Sequence, residues 1–122
     1  MWGLTFKPDT DDVRSSVAVE LVEGLLKEGA TVRAYDPKGM DKIVELGLCK
    51  GVSLAKSALH AVEGAEALIL ATEWDEFKRV DFEATRKIMH TPILFDGRNL
   101  YDPKTMKELG FRYFGVGRAS EG

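Results

Sequence analysis

Short apolar runs alternate along the chain with stretches in which apolar residues recur every three or four positions. The short runs predict six strands, and the periodic stretches between them predict helices. The predicted strands are Trp2 to Phe6, Thr31 to Tyr35, Val52 to Leu54, Ala67 to Ala71, Ile93 to Phe95 and Phe111 to Val116. Several of them, ALIL and ILF above all, are apolar at every position. Such strands are typical of a sheet that helices cover on both faces.

Capping residues and glycines mark the ends of the predicted helices. Ser15 or Ser16 can cap a first helix, which Gly29 ends. Its expected buried stripe comprises Val17, Ala18, Leu21, Val22 and Leu25. A second helix is expected from about Met40 to Leu46, and a third follows Asp102-Pro103, from Lys104 to Leu109, and stops at Gly110.

The repeated strand-helix order predicts one α/β domain that comprises residues 1–122. Right-handed crossovers between parallel strands give a Rossmann-like three-layer α/β/α fold. We expect a mostly parallel six-stranded sheet in the order 3-2-1-4-5-6, with a first strand that is truncated at its start. In such sheets ligands bind beyond the carboxyl ends of the strands, beside the first strand.

Composition narrows the classes of function. The 122 residues are 44% hydrophobic and 30% charged, with a net charge of -3 and both signs interspersed. This balance offers no basic surface for nucleic acid. No apolar stretch approaches the roughly 20 residues that cross a bilayer, so no membrane partner is expected. The single Cys49 excludes an internal disulfide and indicates a cytoplasmic protein.

Three polar loops follow predicted strands and hold most of the unusual chemistry: FKPDTDDVRSS, ATEWDEF and FDGRN. Lys7 in the first loop and Arg98 in the last would be two cations beside one cleft, suited to a diphosphate or a sugar phosphate. The alternative is that Asp9, Asp11 and Asp12 simply pair with these cations in a solvated turn. The pattern alone leaves both open.

The first loop lacks the G-x-G-x-x-G motif of dinucleotide-binding folds, so this domain is not expected to hold NAD in the usual way. Asp36 could bind a ribose, but Asp36-Pro37-Lys38-Gly39 is equally a turn, which we favour. Gly97 would allow a tight or positive-φ backbone that aims Arg98 and Asn99 out of the sheet.

The aromatic residues of the ATEWDEF loop have two interpretations. Trp74 and Phe77 could stack on a base, but aromatics in a first helical turn more often pack, and packing is favoured. Thr72, three residues before Asp75, is expected to be an N-cap.

Cys49, His60 and His90 are each isolated along the sequence. A nucleophilic thiol needs a base beside it, and a metal site needs ligands at close spacing. We therefore expect a structural cysteine, no metal site and no catalytic residue in this chain.

Four motifs carry a resemblance to a known family. GLTFKPDTDDVRSS, VRAYDPKGM, ILATEWDEF and FDGRNLYDP, in this order and with these gaps, resemble the C-terminal UDP-binding domain of the UDP-glucose/GDP-mannose dehydrogenase family. The resemblance runs through the closing GFRYFGVGR, and TEWDEF with FDGRNLYDP looks closest to the UDP-glucose 6-dehydrogenase branch. GDP-mannose and UDP-N-acetylmannosamine dehydrogenases belong to the same family.

The resemblance implies a part of an enzyme. Members oxidise the sugar C6 alcohol of UDP-glucose to a carboxylate, giving UDP-glucuronate, with two NAD and an enzyme thiol. It implies that Phe6, Lys7 and Arg98 contact the UDP-sugar and that Arg14 points toward NAD, which the N-terminal domain mainly binds. The catalytic Cys, the NAD glycine motif and the central helical segment that builds a homodimer are absent from this chain, so Cys49 inherits no role.

We therefore expect a domain fragment that is inactive alone. The charged residues of its first loop would face a substrate and a second domain that are absent from this chain. The alternatives are a free-standing nucleotide-binding or regulatory module, a domain of a related GDP-mannose or UDP-N-acetylmannosamine dehydrogenase, and a purely structural interaction domain.

Overall fold

The computed structural model describes residues 1–116, so the last two residues of the GFRYFGVGR segment lie outside the described part. Helices and parallel strands alternate through it, as the sequence predicts. In chain order they are α1 (Val17–Lys27), β1 (Arg33–Ala34), α2 (Met40–Glu45), β2 (Ser53–Leu54), α3 (Ala58–Val62), β3 (Leu68–Leu70), a 3₁₀ helix (Asp75–Lys78), α4 (Phe82–Ile88), β4 (Ile93–Asp96), α5 (Pro103–Glu108) and β5 (Arg112–Gly115).

The strands form two parallel sheets, β1-β2 and β3-β4-β5, and Trp2 lies between them. Trp2 makes a parallel bridge to Tyr35, just after β1, and another to Leu70 in β3. Its backbone N–H donates to the Ile69 carbonyl at 2.8 Å, and its carbonyl accepts from Ala71 N–H at 2.8 Å. The spatial order is therefore β2, β1, Trp2, β3, β4, β5, which matches the expected order 3-2-1-4-5-6.

The prediction of a six-stranded sheet is wrong, because residues 1–116 contain five strands. The predicted first strand, Trp2 to Phe6, contributes only the bridging residue Trp2. Gly3 follows with φ +99°, which no extended strand adopts, and the chain leaves the sheet there. The parallel arrangement itself is confirmed.

The caps of the helices follow the prediction, but the buried face of α1 does not. Ser16 caps α1 by accepting from Val19 N–H, and Asp102 caps α5, which begins at Pro103. The buried residues of α1 are Ala18, Val19 and Val22. Val17 is 62% exposed and Leu21 is 42% exposed, so both assignments to the core were wrong. The helix is rotated so that Val19, and not Leu21, faces the sheet.

Within residues 1–116, two hydrophobic clusters pack on the sheet, but they leave one part of it uncovered. Leu68 and Leu94 lie in the first cluster, whereas Ile69 packs against the second. Ile69 pairs in register with Phe95, and Phe95 with Phe114. Phe95 is nevertheless 41% exposed, so helices do not cover both faces of β4 as its apolar sequence indicated.

Within residues 1–116, no helix combines the length and the apolar character that a membrane span requires.

Candidate functional site

The first loop leaves the sheet at Gly3 and is held tightly at Thr5. A Cβ at Gly3 would lie 2.5 Å from Thr72, so only glycine fits there. The Thr72 hydroxyl donates to the Thr5 carbonyl at 2.8 Å, and the Trp74 Nε1–H donates to Thr5 Oγ1 at 3.0 Å. The first loop therefore begins from a fixed, buried residue that is bonded to the loop after β3.

Phe6 and Lys7 follow directly and face solvent. Phe6 is 55% exposed, although it is a large aromatic residue next to the buried Thr5. Lys7 is also exposed, and no hydrogen bond or ion pair of its side chain occurs within residues 1–116. The structure thus presents an aromatic ring and an ammonium group beside a rigid anchor, which suits contact with a charged, partly apolar ligand.

Asp36 is the buried centre of this region. Its side chain is 0% exposed and accepts six hydrogen bonds from neutral donors. Oδ1 accepts from Lys38 N–H and Gly39 N–H, which confirms the predicted turn. Oδ2 accepts from Leu4 N–H, Thr5 N–H, Thr5 Oγ1 and Trp74 Nε1. Since both oxygens are fully engaged, Asp36 has no lone pair left for a ribose hydroxyl.

The ATEWDEF loop packs its aromatic residues inward, as favoured from the sequence. Trp74 is 6% exposed, and Phe77, which is fully buried, stacks on Trp2 with ring centroids 5.2 Å apart. Neither ring is available to a base. The prediction that Thr72 is an N-cap was wrong, because its hydroxyl bonds the first loop and the 3₁₀ helix begins only after Trp74.

Arg98 lies on the loop after β4, and Asp96 orders that loop. Asp96 is 1% exposed and accepts from Arg98 N–H, Tyr101 N–H and the Tyr113 hydroxyl. Gly97 N–H donates to the Leu70 carbonyl at 2.9 Å, and a Cβ at Gly97 would meet that oxygen at 2.9 Å. Gly97 therefore permits a close approach and not a positive φ, which is found instead at Asn99.

The guanidinium of Arg98 forms a two-bond ion pair with Glu73. Arg98 Nε and Nη2 each lie 3.0 Å from a carboxylate oxygen of Glu73, and both side chains are about one-third exposed. Burial opposes the charged form of Glu73, but the hydrogen bonds from Arg98 outweigh it, and the pKa of Glu73 is lowered. Of the acids proposed as alternative partners of Lys7 and Arg98, none is bonded to either cation within residues 1–116.

Arg14 lies at the far end of the first loop. Its Nε is 3.2 Å from Asp12 Oδ1, and its side chain is 79% exposed. Hydrogen bonds from Arg14 lower the pKa of the Asp12 carboxyl. An open cavity of about 480 Å³ adjoins this pair, between residues 10–14 and the side chains of Lys42 and Leu46 on the α2 side.

The three loops meet at the carboxyl edge of the sheets. Thr5 joins the first loop to the loop after β3, and the ion pair between Glu73 and Arg98 joins that loop to the one after β4. The sequence located the loops and the turn at Asp36, but it did not reveal the bonds of Asp36 to distant loops or the roles of Asp96 and Glu73. The available signal was an aspartate at a strand end followed at once by turn residues, in DPKG and in DGRN.

A larger cavity, of about 590 Å³, lies at the opposite, amino edge of the strands. Met1, Leu25, Val32, Gly64 and Ile69 are among its lining residues. Open parallel α/β sheets bind ligands at their carboxyl ends, and none of the three polar loops reaches this cavity. We therefore place the candidate site at the carboxyl edge, in spite of the smaller cavity there.

In the part of the chain that the structure describes, the isolated residues Cys49, His60 and His90 form no second candidate site. Cys49 is buried, and burial, with the charge of Glu23, raises the pKa of its thiol to about 11, so little thiolate exists at neutral pH. His60 accepts from Lys56 N–H, and His90 lies beside Thr91. No group of three potential metal ligands occurs in the part of the chain that the structure describes.

The residues of the first loop do not fit a dinucleotide. A pyrophosphate needs glycine backbone that it can approach closely. Here the space beside Gly3 is filled by Thr72, and the next residues are charged and not glycine. This loop therefore offers no glycine backbone on which a pyrophosphate could lie.

The chain belongs to the UDP-glucose/GDP-mannose dehydrogenase family. Residues 1–103 match the model of that family's UDP binding domain. UDP-glucose 6-dehydrogenase of Pseudomonas aeruginosa is 48% identical over the whole chain, and that of Rhizobium meliloti is 43% identical over 95% of it. The chain spans only 28% and 26% of these relatives, about a quarter of their length.

Solved structures of similar proteins share the fold. A UDP-glucose dehydrogenase from Pyrobaculum islandicum superposes with a TM-score of 0.76 at 34% identity, over 97% of this chain and 24% of its own. A UDP-D-ManNAc dehydrogenase from Pyrococcus horikoshii gives a TM-score of 0.75 at 36% identity, over 96% of this chain and 24% of its own. The chain thus corresponds to the UDP-binding domain that this family's larger dehydrogenases contain.

Proposed function

We propose that this chain is the UDP-sugar-binding domain of an NAD-dependent UDP-glucose 6-dehydrogenase, which oxidises UDP-glucose to UDP-glucuronate. The observation that carries the proposal is that a hydrogen bond from Trp74 to Thr5 and the ion pair of Glu73 and Arg98 join three polar loops at one edge of the sheet. The chain also belongs to this family. The 48% identity to a UDP-glucose 6-dehydrogenase favours UDP-glucose over the other nucleotide sugars of the family.

Each candidate residue has a distinct role in this proposal. Lys7 and Arg98 bind the diphosphate, because both are cations at the carboxyl edge and a guanidinium recognises phosphate through paired N–H groups. Phe6 packs against the nucleoside or the sugar with its exposed ring. Arg14 reaches NAD held by another domain, because its exposed side chain lies at the outer end of the loop.

The full reaction needs parts of the longer protein. An NAD-binding domain and a central helical domain supply the nucleotide motif, the reactive thiol and the homodimer in this proposal, and Cys49 supplies none of these since its thiol is buried. We expect no NADH from this chain with UDP-glucose and NAD. Production of NADH above a no-enzyme control would contradict the proposal.

UDP binding to the isolated chain tests the proposal directly. We expect a dissociation constant weaker than micromolar in an NMR titration, because the other domains contribute contacts and preorganisation that the chain lacks. Lys7→Ala and Arg98→Ala should each weaken binding by about fivefold to tenfold. Arg14→Ala is the matched control, an exposed arginine of the same edge whose loss should leave UDP affinity unchanged. Equal affinity in wild type, Lys7→Ala and Arg98→Ala would refute the assignment.

A further inference from the structure

The buried carboxylate of Asp36 does more than form its own turn. Two of its six hydrogen bonds close the turn, and the other four reach Leu4, Thr5 and Trp74, which are 31 to 38 residues away in sequence. The bond to Leu4 N–H is 2.7 Å long and that to Thr5 N–H is 3.0 Å long. One oxygen atom, Oδ2, thus joins the first loop to the loop after β3.

A carboxylate in such a place is costly to desolvate unless hydrogen bonds compensate it. Within residues 1–116, Asp36 has no ion pair, and all six of its hydrogen-bond donors are neutral. An uncharged side chain could form a turn at lower cost. The charge instead holds the backbone N–H groups of Leu4 and Thr5 and the indole N–H of Trp74, which belong to two separate segments.

Thr5 is packed closely against the Asp36 turn and is hydrogen-bonded on two sides. Gly39, in the Asp36 turn, lies so close to Thr5 that an added Cβ would be 2.7 Å from the Thr5 methyl group. Thr5 also receives the hydrogen bond of Trp74, and its carbonyl accepts from Thr72. The next two residues along the chain are Phe6 and Lys7, which the proposed function assigns to the ligand.

We propose that Asp36 is a positioning residue of the nucleotide site: it fixes Leu4 and Thr5 against Trp74 and thereby sets the place of Phe6 and Lys7. This inference rests on the proposed function, since it needs UDP to bind at these loops. Asp36 itself does not touch the ligand, because every lone pair of its carboxylate faces a protein donor.

The test is a UDP titration of the ¹⁵N-labelled chain that compares wild type with Asp36→Asn. Asparagine keeps the shape but turns one acceptor into a donor, which must oppose the N–H groups now bound there. We expect UDP affinity to fall about tenfold. We also expect the UDP-induced shifts of the Phe6 and Lys7 amides to decrease more than those of Gly97 and Arg98. A uniform decrease at all four amides would mean a structural role only and would overturn the inference.

Val62→Ala is the matched control, because Val62 is 1% exposed at the far end of α3 and lines neither loop. It should lower the melting temperature while UDP affinity stays within twofold of wild type. If the two variants lose affinity in proportion to their loss of melting temperature, Asp36 is not a positioning residue. Should Asp36→Asn fail to fold, Thr5→Val removes only the side-chain bonds to Asp36 and Trp74. It should then weaken UDP binding about threefold, and unchanged affinity would overturn the inference.

The proposed function and this inference fail in different ways. A wild-type chain that shows no response to UDP would end the proposed function and this inference with it. A wild-type chain that binds UDP, together with an Asp36→Asn variant that binds equally well, would end only the role of Asp36.

Discussion

Asp36 and Asp96 occupy equivalent places in the two halves of the molecule and use their carboxylates differently. Each lies at the carboxyl end of a parallel strand, is almost fully buried, and accepts with Oδ1 from the N–H two residues on. Oδ2 of Asp36 accepts from two distant loops, whereas Oδ2 of Asp96 accepts from Tyr101 in its own loop and from Tyr113 in β5. The two aspartates therefore form the same kind of turn with different further roles. The Asp36 turn is a junction between loops, whereas the Asp96 turn is a local brace, which we define as its bonds to Tyr101 and Tyr113.

The cations that the two turns support differ as well. Lys7, beyond the Asp36 junction, has no side-chain partner in the described part of the chain, while Arg98 is paired with Glu73 through two bonds. In residues 1–116, the cation without a side-chain partner thus lies in the half where the aspartate binds two distant loops. An exposed ammonium group that follows a buried, hydrogen-bonded segment suits a residue that must meet an arriving phosphate.

The largest expected effect is a difference in stability between variants of the two aspartates. Asp36→Ala should lower the free energy of unfolding by about 4 kcal/mol, and Asp96→Ala by about 2 kcal/mol, because the first leaves more buried donors without a partner. Urea denaturation of both variants measures the difference. Equal losses would show that the bonds of Asp36 to distant loops add no stability beyond a local turn.

The link between the first loop and the loop after β3 is tested by a pair of tryptophan variants. Trp74→Phe removes the indole donor to Thr5 and Asp36, and Trp2→Phe removes the donor to the Ala58 carbonyl. Each should cost about 2 kcal/mol in thermal or urea unfolding, from a lost hydrogen bond and a small cavity. Only Trp74→Phe should also weaken UDP binding. A matching loss of affinity in Trp2→Phe would remove the distinction.

A smaller effect is expected at the local brace. Tyr113→Phe deletes the hydroxyl that donates to Asp96 Oδ2 at 2.7 Å, while Arg98 N–H and Tyr101 N–H remain bound. The free energy of unfolding should fall by about 1.5 kcal/mol, the value of a hydrogen bond to a charged group. UDP affinity should change less than in Asp36→Asn. A larger loss of affinity than in that variant would reverse the ranking of the two turns.

The smallest effect concerns the ion pair of Glu73 and Arg98 and depends on pH. The pKa of Glu73 is lowered in the folded chain, so the pair stabilises above the pKa of the unfolded state and is lost as the pH falls through the folded pKa. Because both side chains are about one-third exposed, solvent screening limits this contribution to about 0.5 kcal/mol. Glu73→Gln should therefore be slightly less stable than wild type at pH 7, and the difference should vanish below the usual carboxyl range. A difference that grows in acid would contradict the assignment.

Apolar pattern and turn residues predicted the strand-helix order, a cap at Ser15 or Ser16, which the structure assigns to Ser16, the cap at Asp102, and the loops that meet at one edge. Periodicity could not fix the rotation of α1, because several faces of that helix are apolar and tertiary packing selects among them. It also could not foresee that Gly3 would end the first strand after a single bridging residue.

The candidate site was predictable only in outline. Turn chemistry identified DPKG and DGRN, but whether an aspartate bonds its own turn or a loop some 30 residues away depends on three-dimensional proximity. The partner of Arg98 was missed for the same reason, since Glu73 lies 25 residues away along the chain. The acids that the sequence suggested as partners, Asp9, Asp11 and Asp12, belong to the first loop.

The most direct measurement of the central claim is the location of the amide shifts when UDP is added to the ¹⁵N-labelled chain. We predict shifts at Phe6, Lys7, Gly97 and Arg98, at the carboxyl edge, and none at Gly64, which lines the larger cavity at the amino edge. Shifts confined to the residues around Gly64, or no shifts at millimolar UDP, would contradict a nucleotide site built from the three polar loops.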